Sequence, residues 1–163
     1  LFNLSDNQIY DDLKSFKTAK YRQEIVEITE GVTIINDSTS TTPTSTIKAI
    51  ESFNNKPIVI ILGGHSKNLP INPLIEKLKE VEFIVLIRGG FTDEIYKELN
   101  SKYKNKLSKI FDNLEDAVVF AFKKAKGLGK ETYLIFSPGA TSFSMFKNEF
   151  DRGDQFNKYA KKG

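Results

Sequence analysis

Four short segments hold most of the side chains in this sequence that could bind an anion. They are Asn36-Asp37-Ser38-Thr39-Ser40-Thr41-Thr42-Pro43, Gly63-Gly64-His65-Ser66-Lys67, Arg88-Gly89-Gly90 and Ser137-Pro138-Gly139-Ala140-Thr141-Ser142. Hydroxyl groups and the free N–H groups of helix N-termini bind anions, and glycine lets backbone N–H groups come close to a ligand. Lys67 and Arg88 add positive charge. Together these residue types describe an anion-binding rim. Each piece also has a plain structural role: Gly63-Gly64 as a tight strand-to-helix turn, Asp37 as a turn or cap residue, Ser142 as a helix N-cap, Lys67 as a solvated loop lysine, His65 as an exposed loop histidine. The joint placement of the segments, each directly after an apolar run, favours the rim.

Other chemistries are excluded by what is missing. The chain has no cysteine, which removes disulfides, thiolate metal sites and thiol nucleophiles. His65 is the only histidine, so a multi-histidine metal site is impossible and a Ser-His-Asp triad has little support. There is no G-x-x-x-x-G-K-[ST] phosphate loop and no G-x-G-x-x-G fingerprint; Gly127-Leu128-Gly129 precedes a strand, which is the wrong context. Nucleotide phosphates bound here would need another domain to hold them. The 24 basic and 21 acidic residues leave a net charge of only +3. The densest basic cluster, Ser101 to Lys109, reads as a solvated helix end, so nucleic acid is not expected as a partner. No apolar run approaches the ~18 residues needed to span a bilayer.

These residues need elements to position them. The length suits one domain, residues 1–163, with a core of Phe, Ile, Leu and Val. A short helix is expected near Asn7–Phe16. Glu24–Ile28 and Val32–Ile35 flank Thr29-Glu30-Gly31 as a hairpin. Ile58–Leu62, Phe83–Ile87 and Tyr133–Phe136 are continuous apolar runs, as strands buried on both faces require; Ser108–Phe111 is a weaker strand. Helical periods lie between them at Thr44–Phe53, Pro73–Lys79, Asp93–Leu99, Leu114–Ala125 and Met145–Tyr159. The alternation predicts an α/β fold: a doubly wound, Rossmann-like, mostly parallel sheet of about six strands, with an antiparallel edge hairpin and helices on both faces. Ligands of such sheets sit beyond the C-terminal strand ends, where the four segments fall.

Three segments carry a family resemblance: Gly31–Ser38, Gly63–Lys67 with its Gly-Gly-x-x-Lys spacing, and Ser137–Asp154. They resemble the C-terminal domain of the Mur ligases, on the side of the D-glutamate-adding branch, over about residues 14–160. The resemblance implies a three-domain, ATP-dependent, amide-forming enzyme of peptidoglycan synthesis. Its N-terminal domain would bind the UDP-sugar, its central domain would hold ATP and Mg²⁺, and this chain, which opens at Leu1 without an initiator Met, would be the third. D-glutamate would be added to UDP-N-acetylmuramoyl-L-alanine through an acyl phosphate. By the same resemblance Arg22 and Asp37 would contact ATP. Thr41 and Lys67 would hold one D-glutamate carboxylate, and Ser142 and Phe143, with the backbone near Glu149, the other. No catalytic or metal-ligating residue is expected in this domain, which alone would be inactive. The whole enzyme would be a bacterial cytoplasmic monomer, away from membranes. The family pattern has His at Tyr21, Lys at Thr39, Asp at His65, Ala-Cys at Gly139-Ala140 and commonly Phe at Glu149. The competing reading is a stand-alone α/β module that binds a small anion or nucleotide.

Overall fold

The computed structural model describes residues 19–142 and 145–162. The expected helix near Asn7–Phe16 and the candidate residue Phe143 lie outside the described residues. Strands β1 (Glu24–Thr29), β2 (Val32–Asn36), β3 (Ile58–Leu62), β4 (Phe83–Ile87), β5 (Leu107–Phe111) and β6 (Thr132–Phe136) form one sheet in the order β1-β2-β6-β3-β4-β5. All neighbours run parallel except β1 and β2. Helices α1 (Pro43–Ser52), α2 (Asn72–Lys77), α3 (Gly90–Tyr103), α4 (Leu114–Lys126) and α5 (Glu149–Ala160) connect or follow the strands.

The continuous apolar runs are explained by two cores, one on each face. Along β3, Val59 and Ile61 face a core with Leu114, Val118 and Ala121 of α4 and Phe156 of α5. Ile58, Ile60 and Leu62 alternate to the other face, with Ile50 of α1, Leu74 of α2 and Ile95 and Leu99 of α3. The hairpin turns at Glu30 and Gly31, both at positive φ (50° and 77°), a shape matched to strand twist. β1 is the edge strand, and its outward residues Ile25 and Ile28 are exposed. β5 reads weakly because it is the other edge strand and carries the polar Ser108 and exposed Lys109; its pairing with β4 shifts register between Ile84 and Leu86, where the Leu86 N–H donates to Ser108 Oγ (3.0 Å).

Helix boundaries differ from the periodic pattern where caps decide them. Thr42 caps α1 through a reciprocal capping box with Ser45, so the helix begins at Pro43, one residue ahead of the predicted Thr44. α3 begins at Gly90 and runs to Tyr103, whose hydroxyl donates to the Ile75 carbonyl (2.9 Å). α5 begins at Glu149 rather than near Met145, because the Asn148 side chain accepts the Phe150 and Asp151 N–H groups.

Candidate functional site

β2, β3, β4 and β6 end at the same edge, and the segments that follow them are joined there backbone to backbone. Asp37 N–H donates to the Phe136 carbonyl (2.9 Å), Gly139 N–H to Ser40 (3.0 Å) and Gly63 N–H to Pro138 (3.0 Å). His65 and Thr141 exchange N–H···O bonds of 2.9 and 3.1 Å, and Phe91 N–H donates to the Gly64 carbonyl (3.0 Å). The glycines serve this joining. A Cβ on Gly63 would collide with the Ile87 carbonyl, one on Gly64 with the Thr141 carbonyl, and one on Gly89 with Gly64 itself. The neighbouring loop, not a ligand, fills the space those glycines leave.

Asp37 is fully buried, and both of its carboxylate oxygens are engaged. Oδ1 accepts the Gln23 N–H (3.2 Å) and Oδ2 the Ser137 hydroxyl (2.7 Å). Burial pushes its carboxyl above the ordinary aspartate range, offset in part by bonds from Ser40, Ser137 and Gln23 and by the charge of Arg22. Asp37 thus fastens the turn that carries Arg22. That turn is strained: Tyr21 and Gln23, either side of Arg22, have φ of 59° and 49°. Tyr21 fixes it further. Its ring lies against Gly153, its hydroxyl donates to Asp154, and its carbonyl accepts from Thr39 N–H (3.2 Å) and Thr39 Oγ1 (2.8 Å). Arg22 itself is exposed at the tip.

On the other side of the rim, exposed Lys67 places Nζ 3.3 Å from Thr41 Oγ1. Ser142 is 2% exposed, yet its hydroxyl has no hydrogen-bond partner among the described residues. Its carbonyl accepts from Met145 and Phe146 N–H, so it starts a separate turn. The expectation that Ser142 opens the last helix is corrected here, since Asn148 caps that helix. Arg88, in the segment after β4, has an exposed guanidinium that pairs with Asp112 just beyond the end of β5. His65 joins through its backbone, with an exposed side chain.

Sequence reasoning missed Arg152. It is the largest fully buried side chain, and its guanidinium donates to Ser38 and Ala140. A signal was present: Arg152, Phe156 and Ala160 recur at four-residue spacing on the buried stripe of α5. Among the described residues no group of three or more His, Asp or Glu side chains could hold a metal ion, and no helix is long and apolar enough to cross a membrane.

The family described as "Mur ligase, glutamate ligase domain" matches residues 21–138, from the Arg22 turn to the last rim segment. The chain belongs to the Mur ligase family. It is 35% identical over 159 residues to the UDP-N-acetylmuramoylalanine–D-glutamate ligase of Borreliella afzelii, covering 96% of this chain and 34% of that protein. The same-named ligase of Petrotoga mobilis is 34% identical over 160 residues, covering 98% of this chain and 35% of that protein. The chain thus spans about a third of the length of the curated relatives it matches. Two solved Mur ligases share the fold. MurF from Acinetobacter baumannii superposes with a TM-score of 0.64 at 16% identity, covering 98% of this chain and 34% of that one. UDP-N-acetylmuramate-alanine ligase MurC from Thermotoga maritima does so at 0.60 and 18%, covering 95% and 33%. Along the rim, Asp37 and Thr41 lie in the segment after β2, Lys67 in the segment after β3 and Ser142 in the segment after β6, with Arg22 on the turn before β1.

Proposed function

We propose that this chain is the C-terminal, amino-acid-binding domain of an ATP-dependent ligase that joins D-glutamate to UDP-N-acetylmuramoyl-L-alanine. UDP-sugar-binding and ATPase domains would precede it, and the whole would work as a bacterial cytoplasmic monomer. The observation that carries the reading is the pairing of Lys67 with Thr41 on the rim that also buries the Ser142 hydroxyl, which has no partner among the described residues. A dicarboxylate needs two separated anion sites, and Lys67 with Thr41 would form one and Ser142 the other. Lys67 and Thr41 grip one carboxylate by a charge-assisted bond, and Ser142 donates to the other. With both ends held, the amine is aimed at the acyl carbon, and positioning of this kind lowers the barrier without further chemistry from the domain.

ATP with Mg²⁺ would supply the phosphoryl group that turns the acceptor carboxylate into an acyl phosphate. The residues present fit one side of a polyphosphate. Arg22 offers an exposed cation on a turn fastened by Asp37 and Tyr21. The chain has no phosphate loop of its own, so the cradle belongs to the central domain. The chain alone is expected to release no phosphate and form no amide.

The test is an assay of the complete ligase, with UDP-N-acetylmuramoyl-L-alanine and ATP, across a panel of amino acids. Phosphate release that depends on D-glutamate supports the reading. Preference for a different amino acid, or a natural gene encoding this domain alone, refutes it.

A further inference from the structure

We propose, on the ligase reading above, that Arg152 is a positioning residue that ties the nucleotide half of the rim to its amino-acid half. Its Nε donates to Ser38 Oγ (3.1 Å) and its Nη2 to the Ser38 carbonyl (2.7 Å). Its Nη1 donates to the Ala140 carbonyl (3.0 Å). Ser38 directly follows Asp37, and Ala140 stands two places before Ser142. The Ser38 hydroxyl passes the link on to the Glu149 carbonyl (2.8 Å) at the start of α5. The guanidinium also lies beneath the Gly63-Gly64 turn, where a Cβ on Gly64 would stand 3.3 Å from Nη1. One side chain therefore reaches three of the four rim segments.

The chemistry argues against a role in packing alone. Arg152 is 0% exposed, and among the described residues every acceptor it bonds is neutral, with the charge of Glu149 its favourable electrostatic neighbour. Burying a cation that no carboxylate hydrogen-bonds is costly, and an apolar residue in line with Phe156 and Ala160 would fill the stripe more cheaply. A planar fork with donors on two sides is what joins two loops at a fixed separation. Lysine gathers its three N–H donors on one nitrogen and lacks the planar fork that sets two loops at a fixed separation. Desolvation lowers the pKa of Arg152 to about 10, so it stays charged at neutral pH and leaves a fixed positive charge under the anion rim.

The test has two parts. In the complete ligase, Arg152→Met should raise KM for both D-glutamate and ATP by about tenfold or more, with Arg152→Lys recovering only part of the loss. Ser38→Ala, a milder change, should move both KM values in the same direction. Leu99→Ala, in the core on the opposite face, serves as a control that lowers stability without touching the rim. KM values unchanged in folded Arg152→Met, or raised equally by Leu99→Ala, overturn the proposal.

The second part needs no ligand. In the chain itself, hydrogen exchange at the Thr39, Ser40 and Thr141 amides should speed up in Arg152→Lys and Ser38→Ala relative to Leu99→Ala. Equal exchange overturns the tie. A wild-type ligase that rejects D-glutamate sinks the substrate reading instead and leaves this exchange test to judge Arg152 alone.

Discussion

Replacing Gly64 with alanine measures how tightly the rim loops depend on direct backbone contact. Gly64 has φ of 144°, and an added Cβ would collide with the Thr141 carbonyl while crowding Ala140 Cβ and Arg152 Nη1, each at 3.3 Å. The unfavourable φ costs about 1–3 kcal/mol. Forcing a methyl group into a packed region costs about 1–3 kcal/mol more. The carbonyl cannot swing away cheaply, because Thr141 is held by the His65 exchange pair. The expected loss is about 2–6 kcal/mol, a shift of about 1–3 M in the urea midpoint at a slope of about 2 kcal/mol per M. Gly129→Ala is the control, since φ there is 65° with nothing within 4 Å of the added atom. It carries backbone strain alone, about 1–2 kcal/mol. If Gly64→Ala unfolds at the same urea concentration as Gly129→Ala, the contact argument for the rim is wrong.

Three further outcomes are expected. Ser142→Ala should leave the unliganded stability unchanged or slightly higher, because a buried hydroxyl without a partner costs about 1–3 kcal/mol, while KM for D-glutamate rises; a large drop in the urea midpoint would mean the hydroxyl is already bonded. Lys67→Ala should raise KM for D-glutamate about 10- to 150-fold, from a charge-assisted bond of about 1.5–3 kcal/mol, with little change in melting temperature; an unaltered KM removes Lys67 from the site. Burial raises the Asp37 pKa in the folded state above its unfolded value, so between those two values the folded chain holds more protons. Stability from this group is therefore present at low pH and falls as pH rises through that window. Urea titrations from about pH 4 to about pH 7 should show a step that Asp37→Asn removes, and parallel curves would count against it.

The sheet was legible because strands buried on both faces write continuous apolar runs, as Ile58–Leu62 and Phe83–Ile87 do. The meeting of the loops followed from parallel strands sharing one end. What stayed hidden depended on partners far along the chain. Arg88 reads as a free rim cation, whereas its partner Asp112 follows the adjacent strand, a pairing no local pattern shows. Ser142 looked like a cap because serine favours that position, whereas Asn148, closer to the apolar stripe, wins it with two bonds. Asp37 was found as a residue, but its engagement with Gln23 and Ser137 belongs to tertiary packing that no local pattern encodes.

The position of β6 governs how this domain is made. Of the six strands it comes last in sequence, yet it pairs with β2 on one side and β3 on the other. Without Thr132–Phe136 the β1–β2 hairpin would have no neighbour in the sheet and β3 one bare flank. The remaining strands would fall into two separate pieces, β1-β2 and β3-β4-β5, so β6 is the seam that makes them one sheet.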